Sequence, residues 1–458
     1  MSENVLGRPN VLLVIVDDMS AFQLGCYGNE YFETPHLDAF ARQGVRCSRS
    51  YATSPVCSPA RASIYTGRHP ARLHLTNYMP GTVPDNPRLI TPEWQNGLPV
   101  SEYSYGRVFK EAGYETAHFG KWHLAEDYHY EPNREMDPES HGFEEVFVTK
   151  KPKADADPEE DAHNVEKLTR KTIEFLEGSH DRPFFCVLAH NAIHRPEMAP
   201  ARLVEKFESK SARNGDWRHP MLAAMTSQVD DSFGRLMDTL DETRLTDNTI
   251  IVFTADHGAM SRSEELKPWR GSKADLYEAG LRVPLLIRFP ERIARDYELS
   301  NAVSLADLFP TLLDLAGVAS PDVELDGVSL TPWLRRERAD APADALYWHF
   351  PHYHHLGLAP CGAMTKGRFK LIEWFDASIG GSRELPSYEL FDLEADPGEQ
   401  RNLADEMPDV RDELALALRK WRRRVGAQEM TVNACFNPSA GGQRSEPPLG
   451  DEEMKAVL

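Results

Sequence analysis

The sequence contains little cysteine for its length. Six cysteines are spread over 458 residues, and none of them forms a C-x-x-C pair. This distribution excludes a disulfide-dense secreted scaffold, and it indicates neither a zinc knuckle nor a thioredoxin-like redox site. One or two disulfide bridges remain open.

Long hydrophobic runs are also missing. The run over residues 11–16 is too short to span a membrane and is followed by two aspartates. Residues 1–10 are polar and lack the apolar stretch and cleavage site of a signal peptide. We therefore expect no membrane association and, for the chain as written, a cytoplasmic location. A periplasmic or secreted protein would follow if a leader had been removed.

Positive charge is scarce relative to negative charge. The chain has 72 acidic residues against 51 lysines and arginines, for a formal net charge of −21. This excess of negative charge argues against binding to nucleic acid or to an anionic membrane surface. If the substrate is itself an anion, the positive charge that binds it must be concentrated in a pocket.

Apolar residues make up 41% of the chain, enough for a large core, and the length favours two domains. In the first part of the chain, apolar strands alternate with amphipathic helices. This alternation predicts an α/β fold with a large, mostly parallel sheet flanked by helices. The predicted strands include residues 11–16, 115–119, 184–189, 249–254 and 283–289.

The pattern changes after residue 335, where short strands follow one another without long helices between them. This predicts a smaller C-terminal α+β domain on an antiparallel sheet. We expect a first domain over residues 1–335 and a second over residues 336–458, the latter ending in a surface tail. The predicted segments of the second domain are strands over residues 345–350, 361–375 and 388–393 and a terminal helix over residues 409–425.

One short stretch, residues 54–61, combines a cysteine with a nearby arginine. Pro59 suits the first turn of a helix, and Gly67 can end that helix. Cys57 would then lie at a helix N-terminus, where the macrodipole favours anions, and Arg61 would add a fixed positive charge one turn on. Cys57 is therefore a candidate for chemistry on an anionic substrate. The alternative is a half-buried structural cysteine beside a helix cap.

Four predicted strands end in chemically capable residues. Ligands of open α/β sheets bind at the carboxyl ends of the strands, so we expect these residues to share one site. Three carboxylates placed close together repel one another unless a cation holds them, and oxygen ligands favour Ca²⁺ or Mg²⁺. The alternative for each aspartate is a turn cap. The strand-end residues are Asp17 and Asp18, Lys121 and His123, His190 and His194, and Asp256 and His257.

A positive side of the same site is also predicted. Lys273 lies in a loop between Gly271 and Gly280, which suit a close approach of backbone to ligand. On its own it would be read as a solvated surface lysine. The residues expected to face an anion are Arg61, Lys121, His123, His194 and Lys273.

Taken together, these motifs resemble a known family. Cys57-Ser58-Pro59-Ala60-Arg61 resembles the C-x-P-x-R signature of the type I, formylglycine-dependent sulfatases, arylsulfatase-like members of the alkaline phosphatase superfamily. The similarity covers most of the chain, and the matching motifs occur in the family's order. The other matches are residues 10–18, Gly120-Lys121-Trp122-His123, Asp256-His257-Gly258, Gly271-Ser272-Lys273 and residues 388–403.

This resemblance implies a sulfatase catalytic domain over residues 1–335 and a sulfuric ester hydrolase that uses a metal ion. It implies that a maturation enzyme oxidises Cys57 to formylglycine. One hydroxyl of the hydrated aldehyde, held on the metal, would attack the sulfur of a sulfate ester. The metal, Ca²⁺ or alternatively Mg²⁺, would be held by Asp17, Asp18, Asp256, His257 and the modified Cys57. Because an imidazole is a softer ligand than an amide oxygen, His257 would bind the metal weakly or contact the sulfate instead.

By the same resemblance, Lys273 and His194 would contact the sulfate and help protonate the leaving alkoxide. His123 would take a proton from the second hydroxyl, so that sulfate is expelled. Lys121 and Arg61 would orient the diol. His190 has no assigned role and is expected to support the structure.

The substrate class is carried by the resemblance and by one further stretch. The likeness to bacterial polysaccharide and glycosaminoglycan sulfatases implies a sulfated carbohydrate. Residues 348–355 are rich in aromatic and imidazole groups, and His352 and His354 are candidates for contact with a sugar. The alternative is an exposed loop or a weak metal patch.

Two other functions remain open at this point. A phosphonate monoester or phosphodiester hydrolase of the same superfamily would share the modified cysteine and the metal. A non-catalytic sulfate- or sugar-binding protein would have an inert Cys57, but it would not need two histidines and two lysines at the strand ends.

Overall fold

The computed structural model describes residues 7–126, 129–211, 218–260, 269–384 and 386–439. In chain order its strands are β1 (Asn10–Val16), β2 (Val45–Tyr51), β3 (Leu89–Ile90), β4 (Glu115–Gly120), β5 (Glu145–Phe147), β6 (Phe184–Ala189), β7 (Thr249–Ala255), β8 (Leu285–Arg288), β9 (Tyr297–Ser304), β10 (Leu346–Phe350), β11 (Cys361–Lys366), β12 (Phe369–Trp374), β13 (Tyr388–Asp392) and β14 (Thr431–Val432). The helices are α1 (Pro35–Gln43), α2 (Cys57–Thr66), α3 (Pro70–Leu73), α4 (Tyr105–Glu111), α5 (Val165–Leu176), α6 (Ala201–Ser209), α7 (Pro220–Glu242), α8 (Glu278–Leu281), α9 (Leu308–Ala316), α10 (Thr331–Leu334), α11 (Phe375–Ser378) and α12 (Pro408–Arg424).

The large sheet has the strand order β5-β4-β6-β1-β7-β8-β2-β9. Strands β4, β6, β1 and β7 are neighbours and pair in parallel, with Val11 opposite both Phe185 and Ile250. All seven residues of β1 are buried, as expected for a central strand covered by helices on both faces. The predicted α/β fold with a mostly parallel sheet is confirmed.

The half of the sheet beyond β7 was predicted only in part. Strand β8 pairs antiparallel with both β7 and β2, while β9 runs parallel to β2 at the sheet edge. Neither β2 nor β9 has the continuous apolar run of a central strand, because most of the residues of β2 and half of those of β9 are polar or charged. Strand β9 is at the sheet edge and β2 is next to it, and strands with one less buried face give a weak apolar pattern in the sequence.

The predicted antiparallel sheet near the C-terminus is also present, in the order β10-β11-β12-β13. Leu414, Leu418 and Trp421 of α12 are buried against it, as the helical spacing indicated. The domain division at residue 335 stays a prediction. The expected surface tail falls largely in residues 440–458, outside the described residues. Among the described residues, no helix has the length and apolar character needed to cross a membrane.

Candidate active site

The carboxyl ends of four adjacent parallel strands meet at one edge of the large sheet. Asp17 follows β1, Lys121 follows β4 and Asp256 follows β7 directly, while His194 lies five residues after β6. Backbone hydrogen bonds lock these ends together: Lys121 N donates to Ala189 O at 2.8 Å and Asp256 N donates to Val16 O at 3.1 Å. The structure therefore brings Asp17, Lys121 and Asp256 to one edge of the sheet, as the topology rule predicted.

Cys57 is the first residue of α2, which ends at Gly67 in the left-handed conformation (φ 68°). Its thiol faces the strand ends. Sγ lies 3.1 Å from His257 Nε2, 3.4 Å from Lys273 Nζ and 3.6 Å from Asp17 Oδ1. Every residue of α2 is buried, so the helix is a rigid support for the thiol. Cys57 is buried rather than half-buried beside the helix cap, and its catalytic role stays a prediction.

The surroundings of the thiol favour its anionic form. Burial alone would raise the pKa of Cys57, but Lys121, Lys273 and His257 outweigh burial and the charge of Asp17. The pKa of this thiol is consequently well below its usual range. A buried site that stabilises an anion at Cys57 suits chemistry on an anionic group at that position.

Arg61 lies beneath the site rather than in it. Its Nε donates to Asp256 Oδ2 at 2.9 Å, its Nη1 donates to Lys121 O at 3.0 Å, and its Nη2 is 3.9 Å from Asp17 Oδ1. The side chain is completely buried. Arg61 thus fixes the relative positions of β1, β4 and β7 at their carboxyl ends.

The donor set for a cation comes from four buried residues. One ligand atom from each of Asp17, Asp18, Cys57 and His257 can be chosen so that all lie within 4.8 Å of one another. Asp18 Oδ2 is buried and accepts no hydrogen bond from the described residues. His257 Nδ1 lies 3.0 Å from Gly258 O, which fixes the proton there and turns Nε2 toward the cluster. The set offers two carboxylate oxygens, one sulfur and one imidazole nitrogen, and it can hold a divalent cation.

Asp256 differs from the other two aspartates because it accepts hydrogen bonds from backbone N–H groups of the site. Oδ1 accepts from the backbone N–H groups of Asp18 (3.2 Å) and His257 (2.9 Å), and Oδ2 accepts from Arg61. Its role as a metal ligand stays a prediction.

Burial makes the ionised form of some of these carboxylates unfavourable, and a bound cation would stabilise that form. Burial raises the pKa of Asp18 to about 7, although Lys273 opposes this, and burial likewise raises the pKa of Asp256. For Asp17, burial opposes ionisation, but Lys121, His194, Arg61 and Lys273 together outweigh burial and hold the pKa well below its usual range. Despite burial, Asp256, Cys57 and Asp18 raise the pKa of His257 to about 9. A cation bound here would displace the His257 proton and stabilise all the carboxylates.

Two lysines form ion pairs with two of the aspartates of the site. Lys121 Nζ lies 2.6 Å from Asp17 Oδ2, and Lys273 Nζ lies 2.8 Å from Asp18 Oδ1. Lys273 reaches the site because Ala274 next to it adopts a left-handed backbone (φ 66°) and donates from its N–H to Pro55 O at 2.9 Å. Both ammonium groups are therefore held beside Cys57, where an incoming anion would meet them.

His123 and His194 are the most accessible imidazoles of the site, 8% and 9% exposed. His123 Nε2 lies 3.0 Å from Met79 O, and His194 Nδ1 lies 2.6 Å from Arg195 O. Since a carbonyl only accepts, each of these nitrogens holds a proton in the neutral ring, and a further proton would bind at the other ring nitrogen. Burial lowers the pKa of both rings, and Lys121 adds to this for His123 and Lys273 for His194.

The structure places the remaining predicted histidines away from the thiol. His190 is buried with Nε2 3.4 Å from Ser232 Oγ, consistent with a supporting role. His352 is 1% exposed and bonds to Thr76 Oγ1 at 2.7 Å. His354 packs on the ring of Tyr78 with the centroids 5.0 Å apart. The reading of this segment as an exposed loop is wrong, because its histidines are packed among aromatic rings.

Lys151 is a neighbour of the site that the sequence reasoning missed. It is half-buried, and it lies in electrostatic range of Lys273, Lys121, Asp17 and Asp18. Its backbone is held near the strand ends by Thr149, whose N–H reaches Gly120 O at 3.4 Å. Nothing in the sequence distinguishes it from the other lysines of this charged stretch.

Comparison with known proteins gives two family matches. A family model described as Sulfatase matches residues 9–318. A second model, described as N-sulphoglucosamine sulphohydrolase, C-terminal, matches residues 271–424. Together the two models cover both sheets.

Curated relatives extend over nearly the whole chain. Arylsulfatase A of Homo sapiens is 28% identical over 494 aligned positions, which cover 96% of this chain and 92% of that protein. N-acetylgalactosamine-6-O-sulfatase of Bacteroides thetaiotaomicron is 26% identical over 515 positions, which cover 91% of this chain and 94% of that protein.

Solved structures share the fold. A protein crystallised in complex with its substrate, D-glucosamine-2-N,6-O-disulfate, has a TM-score of 0.69 at 21% identity, with coverage of 92% of this chain and 98% of the other. The phosphonate monoester hydrolase of Agrobacterium radiobacter has a TM-score of 0.69 at 23% identity, with coverage of 96% and 100%.

Proposed function

The chain belongs to the sulfatase family of enzymes, and we propose that it removes sulfate from a sulfated carbohydrate with a formylglycine made from Cys57 and a bound divalent cation, Ca²⁺ or Mg²⁺. One observation supports this above the others: a buried thiol lies within 3.6 Å of an aspartate, a lysine and a histidine at the sheet edge. A host enzyme that generates formylglycine is the partner that this proposal requires.

Asp17, Asp18, His257 and the modified Cys57 would hold the cation, with Asp256 as a further candidate. The cation would supply Lewis-acid polarisation of the sulfate oxygens. Asp256 also acts without the cation, because its accepted hydrogen bonds fix the backbone of Asp18 and His257.

Formylglycine would supply, once hydrated, the hydroxyl that attacks the sulfur. Cys57 lies at the helix N-terminus, and Lys121 and Arg61 fix the aspartates around it, so the nucleophile would be oriented before substrate arrives. His123 would accept the proton of the second hydroxyl at Nδ1, since Nε2 holds its own proton toward Met79 O, and loss of that proton would expel sulfate and restore the aldehyde.

Lys273 and His194 would act on the sulfate and on the alkoxide that leaves it. Lys273 would bind a sulfate oxygen through the ammonium group that now contacts Asp18 and Cys57. His194 presents Nε2 to the site, because Nδ1 faces Arg195 O. A bound sulfate adds negative charge near this ring, which favours the protonated imidazole that the leaving alkoxide needs.

The proposed binding of a sulfated sugar depends on side chains next to the site. Lys151 adds a further cation beside Lys273 and Lys121, which suits a polyanionic sugar. Tyr78 joins the histidine segment to the site: its ring packs on His354, and Met79 next to it donates from its N–H to Ser58 Oγ at 3.2 Å. His352 and His354 would support the segment that contains Tyr78 and would not contact a sugar directly.

The fold shared with a phosphonate monoester hydrolase favours one rival function. Relative rates on an aryl sulfate, an aryl phosphodiester and sulfated oligosaccharides separate the two activities. A faster rate on the phosphodiester would overturn the sulfate ester proposal.

The direct test is the mass of the tryptic peptide over residues 50–61 from the native host. A peptide that is lighter than its cysteine form and reacts with an aldehyde reagent supports the proposal. Cys57→Ala should abolish turnover, whereas Cys435→Ala, which changes an exposed cysteine, should not. An unmodified Cys57 in an active enzyme would overturn the formylglycine mechanism. Substrate binding without turnover would favour the non-catalytic alternative.

A further inference from the structure

A buried charge cluster connects the C-terminal sheet to the loop that contains Lys273. Lys370 on β12 is completely buried, and its Nζ lies 3.0 Å from Glu278 Oε1 and 2.8 Å from Glu399 Oε1. Glu399 Oε2 accepts from the backbone N–H of Glu278 at 2.7 Å. We call Glu278, Lys370 and Glu399 the sheet-to-loop cluster. Glu278 is the first residue of α8, so the cluster holds the beginning of this helix.

The large sheet holds the same carboxylate from its other side. Tyr51 at the end of β2 donates from its hydroxyl to Glu278 Oε2 at 3.0 Å, and Arg282 donates to the same oxygen at 3.0 Å. Glu278 therefore has a partner from each sheet and one from the residue that follows α8. Such a fully bonded, buried group has a single favourable position.

Helix α8 directly contacts the turn around Lys273. A Cβ at Gly280 would lie 2.2 Å from Asp275 O and 2.4 Å from Ser272 O, so the turn around Lys273 rests on this glycine. A Cβ at Gly258 would lie 1.9 Å from Ala279 O, and Gly258 N donates to Gly280 O at 3.0 Å. The helix thus touches both the Lys273 turn and the residue after His257.

The C-terminal sheet also binds other points of the same loop. Tyr277 donates from its hydroxyl to Glu389 Oε2 at 2.6 Å, and Arg270 donates to Glu399 O at 3.2 Å. Arg270, Tyr277 and Glu278 are all held by residues of β13 or the segment that follows it. The loop between them is left with little freedom to move relative to the C-terminal sheet.

We propose that Glu399 is a positioning residue: through Glu278 and α8, it holds Lys273 at the distance from Cys57 that sulfate binding needs. This inference rests on the proposed function for the role of Lys273, but not for the contacts. The C-terminal sheet would then help to position an active-site lysine, although that sheet contributes none of the described residues around the thiol. A misplacement of a catalytic group by about 1 Å can cost about 100-fold in rate.

The test compares Glu399→Ala with Glu373→Ala. Glu373 is a matched control, because it is a buried carboxylate on β12, the strand of Lys370, it lies 2.8 Å from Arg422, and it has no hydrogen bond to the described residues of the loop. We expect both variants to lose thermal stability. Only Glu399→Ala should weaken the affinity for inorganic sulfate and lower kcat/KM, each by about 10-fold to 100-fold.

Two further variants sharpen the comparison. Glu399→Gln keeps an oxygen for the N–H of Glu278 and should restore sulfate affinity to within about threefold of the wild type. Glu399→Asp withdraws the carboxylate by one methylene, and it replaces Glu399→Ala if that variant does not fold.

Hydrogen exchange gives a readout that does not depend on catalysis. Amides of residues 271–281 should exchange faster in Glu399→Ala than in Glu373→Ala. Equal exchange, equal sulfate affinity and equal kcat/KM in the two variants would overturn the positioning role. A wild-type protein that cleaves no sulfate ester would overturn the proposed function instead, while the exchange comparison would still decide the positioning of the loop.

Discussion

Arg61 Nε donates to Asp256 Oδ2 across 2.9 Å, and both side chains are completely buried. The pair joins the helix that begins at Cys57 to the end of the central strand β7. Removal of one member of a buried ion pair leaves an uncompensated charge in a low-dielectric interior. The pair is therefore expected to support the site through stability as well as through orientation.

Arg61→Met should lower the free energy of unfolding by about 3–5 kcal/mol. The same substitution at Arg46, whose partner Glu298 is 48% exposed, should cost about 0–1 kcal/mol. Urea unfolding of the metal-free proteins measures both values. Similar losses in the two variants would contradict a dominant role for the buried pair.

Lys151 provides a second prediction, on substrate affinity. Lys151→Ala should raise KM for a sulfated saccharide with a second anionic group by about tenfold, the size expected for one lost charge-assisted hydrogen bond. It should leave KM for a simple aryl sulfate nearly unchanged. Lys153→Ala is the matched control, since Lys153 is exposed two residues further along the chain.

The charge of Lys151 also predicts a pH dependence. Burial, together with Lys273 and Lys121, lowers the pKa of Lys151 to about 8. The ammonium group is lost as the pH rises through this value, so KM of the wild type for the polyanionic saccharide should rise above about pH 8. The rise should be absent in Lys151→Ala. Identical profiles for the two proteins would show that Lys151 does not bind the substrate.

The convergence of the strand ends could be predicted from the sequence because it depends on local pattern and on one rule of topology. Strands β1, β6 and β7 are nearly continuous apolar runs, whereas β4 is mixed in composition, and parallel strands end at the same edge. The helix N-terminus at Cys57 was likewise readable from Pro59 and Gly67. These signals lie within a few residues of the groups they place.

Contacts between distant parts of the chain left no such signal. Lys370 and Glu278 are 92 residues apart, and Glu278 and Glu399 are 121 residues apart. Nothing in the residues around Lys370 indicates that its ammonium group is buried rather than solvated. Lys151 was missed for the same reason, since its position depends on Thr149 reaching Gly120 at the end of another strand.

The pKa of His123 predicts the pH below which kcat/KM should fall. Burial and the nearby charge of Lys121 lower the pKa of His123 below its ordinary value of 6.5, so the ring is neutral and able to accept a proton at pH 7. The acid limb of the pH profile of kcat/KM should therefore lie below pH 6.5. His123→Ala should lower kcat by about 10²–10⁴-fold, whereas His36→Ala, at an exposed histidine, should not. A limb above 6.5 would assign the base to another group.

The last prediction concerns Asp18 and the cation. Burial raises the pKa of Asp18 from 3.8 to about 7 in the metal-free fold. A raised pKa in the folded state means that Asp18 contributes stability at low pH, and that this contribution is lost as the pH rises through about 7. A cation needs the ionised carboxylate, so it binds best where the metal-free site is least stable.

Added Ca²⁺ should therefore raise the midpoint temperature of unfolding more at about pH 8 than at about pH 5. Asp18→Asn should remove this shift while making the metal-free protein less sensitive to pH over the same interval. Asp307→Asn is the matched control: burial also raises the pKa of Asp307 to about 7, but its carboxylate accepts from the N–H groups of Val328 and Ser304 outside the site. If Asp307→Asn lost the Ca²⁺ shift and Asp18→Asn retained it, the cation would not be held by Asp18.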